Sequence, residues 1–345
     1  MGVYGMKKKL LIMLLVGIVA LTGCGNSAGT EDTSKSESSE KSDVKFVEIQ
    51  GEKVNVSKAE EIKLGETYET DSNLEFSLFK VSAKNKMECV SGNGMFYEAD
   101  SGEKYFDVVL NVENKGQDVF DTDSIKCVFI DENENSTEQI LVAAEDSQDY
   151  LDQYAQISAL DKTKLHIGAL VQESVNKGTL YFKTGNSAYF IKCDASQEIS
   201  NKTSIDFEEE ILVYSYASFK LIKTEYTQDV LPSDTSGYYS HYPVNDPASD
   251  VYYVVYVDVT NLSNANIVSD KILSIRAKYD GKYEYTANMV LEKKDGTGFD
   301  YGNITNIAPL ETRRCLFMFE VPQKVQEMPV ELNIYFNGNE YGYSN

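Results

Sequence analysis

Histidine and cysteine are scarce in this chain, two and five, tryptophan is absent, and none of the 55 acids is singled out by its surroundings as half of a carboxylate pair. A Ser–His–Asp arrangement or a zinc site needs histidine or cysteine with partners at fitting spacing. His166 lies in a run where Leu165, Ile167, Ala169 and Val171 share the inward strand parity, so the pattern predicts that His166 points outward, alone. His241 sits among Tyr238, Tyr239 and Tyr242 on a predicted loop. These four are the candidate binding residues, because aromatic rings at a loop tip either stack on a ligand or fold down to cover a sandwich end. Asp131 to Asn135 alternates oxygens like the start of a calcium loop, but Ser136 and Val142 stand where glycine and an acid are required. That segment reads as a hairpin tip. P-loop and HExxH patterns are absent, and the one GxSxG match, Gly25-Asn26-Ser27-Ala28-Gly29, lies in a polar stretch without the strand–turn–helix setting that a nucleophile elbow needs. The expectation is no catalytic residue, no metal and no cofactor.

Four cysteines follow the N-terminal segment: Cys89, Cys127, Cys193 and Cys315. They form no CxxC pair, and Cys127 and Cys315 share the parity of apolar neighbours. Free buried thiols are expected. A bridge among Cys89, Cys127 and Cys193 stays open.

The fifth cysteine, Cys24, has a different setting. Lys7, Lys8 and Lys9 precede an apolar run from Leu10 to Leu21, followed by Thr22, Gly23 and Cys24. The run spans about 18 Å as a helix, short of the ~30 Å hydrocarbon core, so it reads as a secretory signal and not as a membrane span. Leu21-Thr22-Gly23-Cys24 resembles the lipobox of bacterial lipoproteins. The resemblance implies cleavage before Cys24 (residues 1–23 being the signal peptide) and acylation of its thiol, with palmitate as an expected chain. Two acyl chains hold a protein stably on a membrane where one would not. From Gly25 to Asp43 the chain is polar, with no aromatic or branched aliphatic residue. Residues 24–43 therefore read as the lipidated cysteine and a flexible linker, with an r.m.s. reach of about 24 Å.

The formal net charge is −23, and loss of the three leader lysines makes it more negative. That excludes a nucleic-acid partner, whose phosphates need a basic face. It also argues against a domain lying flat on anionic lipid.

The elements that carry these residues are strands, and they repeat. Tyr105 to Asn114 aligns with Tyr252 to Asn261, with Phe106, Val108, Leu110 and Val112 matching the parity of Tyr253, Val255, Val257 and Val259. A one-residue slip would turn all of them outward. Phe106 and Val257 are thus predicted core, and loss of the Asp107 side chain is predicted to be mild. Phe79-Lys80-Val81 is matched to Phe219-Lys220-Leu221, Ile157 to Leu160 with Ile307 to Leu310, and Leu180 to Phe182 with Ile334 to Phe336. Asp280-Gly281 suits a type I′ hairpin. Ala143 to Tyr154 is the best helical candidate. The reading is all-β: two tandem immunoglobulin-like β-sandwiches, residues 44–196 and 207–345, joined by a polar stretch.

The leader and lipobox, the Ser/Glu-rich tether, Gly65-Glu66-Thr67, and the strand from Tyr105 through Asn114-Lys115-Gly116 resemble Gram-positive lipoproteins with immunoglobulin-like domains of unknown function. These are structurally akin to a secreted mycobacterial immunoprotective antigen. The second half departs by a longer loop, Gln228 to Asp250. The resemblance transfers no catalytic or binding residue. The functional expectation is a non-enzymatic binding module, lipid-anchored on the extracellular face of the cell membrane, with a protein or glycan partner. The alternative is an accessory envelope enzyme or maturation factor whose site is assembled only in three dimensions.

Overall fold

The computed structural model describes residues 46–92, 96–146 and 150–344. Cys24, the leader and the tether lie outside the described residues. Alternating apolar residues and Gly, Asn and Asp turns give seven principal strands in each half. They are β1 (Leu74–Lys84), β2 (Glu103–Asn114), β3 (Lys126–Asp131), β4 (Ile140–Glu145), β5 (Lys162–Gln172), β6 (Lys177–Thr184) and β7 (Ser187–Asp194). The second set is β8 (Ala217–Thr227), β9 (Asp250–Asn261), β10 (Leu273–Tyr279), β11 (Asn288–Glu292), β12 (Thr312–Pro322), β13 (Val330–Phe336) and β14 (Asn339–Ser344).

In the first half a sheet in the order β4-β5-β2-β1 faces one in the order β3-β6-β7. The second half repeats this as β11-β12-β9-β8 against β10-β13-β14. This is the strand arrangement of the immunoglobulin constant-type sandwich. Each half closes its own core. Phe106, Val108, Leu110 and Val112 pack with Phe129 and Phe182, while Tyr253, Val255, Val257 and Val259 pack with Phe317 and Phe336. Residues between the two sets carry short strands on both sides: Ile199–Ser200 pairs with β1, and Lys202–Ser204 pairs with β14. Both cores belong to the compact unit Val44–Asn345.

The duplication extends to hydrogen bonds. Asn114 and Asn261, each ending its long strand, are buried. Asn114 Nδ2 donates to the carbonyls of Asp118 and Ile157, and Asn261 Nδ2 to those of Ala265 and Ile307. Leu160 and Leu310 occupy matched left-handed positions, with φ of 64° and 62°, and their N–H groups donate to the Asn114 and Asn261 carbonyls.

Three expectations need correction. Both β1/β2 and β8/β9 carry a bulge, after Leu78 and after Leu221. Registered across it, Phe76 opposite Val112 matches Phe219 opposite Val259, so Phe79 is not the counterpart of Phe219. The two bulges hold equivalent positions and leave the alignment gap-free; the mismatch arises because Phe-x-apolar recurs within β1, at Phe76-Ser77-Leu78 and Phe79-Lys80-Val81, and a local match to Phe219-Lys220-Leu221 takes the second. The segment from Ala143 to Tyr154 is not helical: β4 runs to Glu145 and Leu151–Asp152 pairs back onto it. Buried pairing of Ala143 and Ala144 with β5 overrides their helical propensity. Asp107 is 5% exposed and hydrogen-bonded, so its removal is not mild. The Asp280-Gly281 turn is as expected: both residues have positive φ, and Lys282 N–H donates to the Tyr279 carbonyl. Asp131 caps its own turn, accepting from the N–H groups of Asn133 and Asn135.

Candidate functional site

The sheet faces that point away from the cores hold the polar and aromatic groups of interest. On the first half this face carries Asp107, Asn111, Lys164 and His166. Parity turns His166 outward as predicted, but it is neither solvated nor alone. Its exposure is 0%. The segment after β1 folds back as a hairpin, Lys86–Glu88 paired with Phe96–Glu98, and covers it. Gly168 permits this, because a Cβ there would lie 2.3 Å from Met87 Sδ.

His166 Nδ1 lies 3.0 Å from Asp107 Oδ2, and Nε2 lies 3.1 Å from Glu145 Oε1. Burial pushes the imidazole pKa down, but Asp107 and then Glu145 outweigh it and hold it up at about 10. The ring is therefore an imidazolium at neutral pH, with both nitrogens occupied. Glu145 also accepts the N–H of Val90 from the covering segment.

On the second half the equivalent face is apolar. Tyr252, Val254, Val290, Leu316 and Met318 pack beneath Val230, Val244 and Phe299. The cover is again the segment after the first strand, here the strap from Gln228 to Ser249. Asp229–Val230 pairs with Tyr242–Pro243 at its base. Glu292, which holds the register position of Glu145, accepts the N–H of Ser233 at 2.6 Å. The strap is thus the counterpart of the Lys86–Glu98 hairpin, tied down by the same glutamate position.

The predicted aromatic residues divide. Tyr242 is half-buried, its ring 5.6 Å from that of Phe299. Tyr238 is 97% exposed. Tyr239 stands edge-on to His241 at 5.6 Å, and His241 Nδ1 lies 2.7 Å from Asp229 Oδ1. The tip is held on both sides: Asp234 N–H donates to the Gly296 carbonyl and Ser240 N–H to that of Thr297. Asp295 to Asp300 is the turn that receives it.

The four cysteines are buried and none is in a disulfide, and burial pushes the Cys193 and Cys315 thiols up to about 12. Among the described residues no group of three or more His, Cys, Asp or Glu is arranged to hold a metal ion. Sequence reasoning missed the Asp107–His166–Glu145 cluster. Its one signal was an acid, Asp107, at an outward position in a strand of otherwise buried type. It also missed the ion pairs between the halves, where Arg276 meets Glu88 at 2.7 Å, Lys84 meets Glu284 at 3.4 Å and Lys80 meets Glu340 at 3.8 Å.

No protein-family model matches the chain, and no curated protein matches it. Among solved structures, an uncharacterised β-sandwich protein from Clostridium difficile 630 is 30% identical, with a TM-score of 0.39, over 43% of this chain and 97% of that one. A marsupial T cell receptor is 11% identical, with a TM-score of 0.22, over 69% of this chain and 92% of that one.

Proposed function

We propose that this chain, which by sequence identity belongs with that Clostridium difficile protein in one family of β-sandwich proteins, is a lipid-anchored binding module of the extracellular membrane face. Cys24 carries the anchor, and the strap tip is the recognition surface for a protein or glycan partner. The observation that carries the reading is Tyr238, 97% exposed on a segment whose base is packed into an apolar layer. Tyrosine on a pre-ordered loop offers contact area at low rotamer cost. The Asp107–His166–Glu145 cluster favours the enzyme alternative less, because its imidazolium has no free nitrogen and no exposed edge.

The test is capture from intact envelope by the tethered protein. Tyr238→Ser combined with Tyr239→Ser should abolish capture and leave the melting temperature nearly unchanged. Undiminished capture would overturn the assignment of the tip. For the anchor, Cys24→Ala should release the protein or leave an uncleaved precursor, and unchanged detergent partitioning would refute it.

A further inference from the structure

Lys164, on β5, stands directly across from Asn111 on β2. The same register position in the second half pairs Arg314 with Asp258, where Arg314 Nη2 donates to Asp258 Oδ2 at 3.1 Å. The second half therefore builds its anion in. The first half keeps the cation and puts a neutral carboxamide where the acid stands.

Lys164 is only 9% exposed. Its Nζ donates to Asn111 Oδ1 and lies 3.6 Å from the Phe79 ring centroid. Among the described residues it forms no ion pair; Glu145 and Glu340 act on it only at longer range. Burial pushes its pKa down to about 8 against the pull of those two carboxylates. A buried cation without a contacting anion is costly, and a ligand carboxylate would relieve that cost.

Lys164 lines a cavity of about 900 Å³. Asn111 lines it too, as do Asn337 and Asn339 from the turn between β13 and β14. So do Asp152 and Asp161, which accept the backbone N–H groups of Tyr154 and Lys162. Among the described residues neither of these two acids is in an ion pair. Glu75, Glu113 and Glu145 line it as well, ion-paired with Lys115, Lys162 and His166, so beside these neutralised acids the cavity presents one cation lacking a contacting anion and two anions lacking a cation, with amide groups among them. Its volume is at the upper end for small-ligand pockets and exceeds what one amino acid needs. We infer that this cavity binds a short peptide with free termini, its carboxylate on Lys164 and its ammonium group toward Asp152 and Asp161.

The experiment is isothermal titration of the whole protein at pH 8 with three probes: trialanine, its C-terminal amide and its N-acetyl derivative. Trialanine should bind, and the N-acetyl peptide, which has no amino group to titrate near pH 8, should bind with proton uptake, seen as a heat that varies with the ionisation enthalpy of the buffer, because a carboxylate beside Lys164 restores its charge. The amide, or trialanine on Lys164→Met, should bind about tenfold to a hundredfold more weakly. Asp152→Asn with Asp161→Asn should weaken trialanine but leave the N-acetyl peptide unchanged. No binding of trialanine, or equal binding of acid and amide, would overturn the inference. So would unchanged affinity in Lys164→Met. If that variant does not fold, the comparison of acid and amide on the natural protein decides alone. The strap tip is untouched by any of these changes, so failure here and failure at the tip are separate results.

Discussion

The outward faces of β2/β5 and β9/β12 rest on matching strands yet differ in chemistry. The first has Asp107, Lys164, His166 and Gly168; in the same register positions the second has Val254, Arg314, Leu316 and Met318. Both are covered by the segment that follows the first strand, and in both a glutamate at the end of the fourth strand takes a backbone N–H from that cover. The inward faces, by contrast, are nearly interchangeable. What lies over a sheet therefore sets the chemistry of its outer side, while the sandwich core leaves that side free to diverge. A thin hairpin needs glycine beneath it and tolerates a neutralised charge cluster. A longer strap with Val230 and Val244 on its underside needs an apolar floor.

The comparison breaks most sharply at His166. His166→Leu installs the second-half residue and leaves Asp107 and Glu145 buried without their cation. It should cost about 3–5 kcal/mol in urea unfolding, and Asp107→Val added to it should recover part of the loss. A neutral single variant would mean the cluster does not hold this face.

The pH dependence sharpens the same point. His166 has a folded pKa of about 10, above its ordinary value, so its contribution is full below pH ~6.5 and is lost as pH rises toward 10. Lys164 has a folded pKa of about 8, below its ordinary value, so its penalty is relieved between pH 8 and ~10.4. Stability should fall from pH ~6.5 to 8 and then level off. In Lys164→Met the fall should continue to pH ~10. Urea midpoints across that range check both curves, and a flat profile in the natural protein would contradict the charge state given to His166.

Gly168→Ala comes next. The second half accepts Met318 at that position, but in the first half the added carbon meets Met87, and a loss of about 1–3 kcal/mol is expected. Hydrogen exchange should quicken in the Lys86–Glu98 hairpin. The smallest effects are on the strap: Tyr242→Ser should cost about 1 kcal/mol, and Tyr238→Ser less than about 0.5 kcal/mol. Equal losses at the two tyrosines would erase the division between base and tip.

What the sequence made legible was the inward half of each strand. Phe106 and Val257 are core because a period of two against a buried face admits one register. The burial of Cys127 and Cys315 followed from the same parity. The outward half was opaque, because its partners are distant in the chain. Val90 meets Glu145, and Lys80 meets Glu340, through folds that no local pattern encodes. Parity gave the direction of His166 but not that a hairpin lies over it. The linear match failed at Phe79 for a related reason: Phe76-Ser77-Leu78 and Phe79-Lys80-Val81 look alike, and only strand pairing shows which of them aligns with Phe219.

The stretch between the two halves bears on force. Were the chain held at its N-terminus, as the proposed anchoring requires, a load applied at the strap would run through residues 199–204. Those residues are hydrogen-bonded to β1 on one side and to β14 on the other. Ser200 Oγ also donates to Glu340. Traction would have to shear both short pairings and part Lys80 from Glu198 and Glu340 before the chain could lengthen. A pulled molecule of this kind would first resist as one stiff body, and then yield in a single step at the seam, well before either sandwich opens.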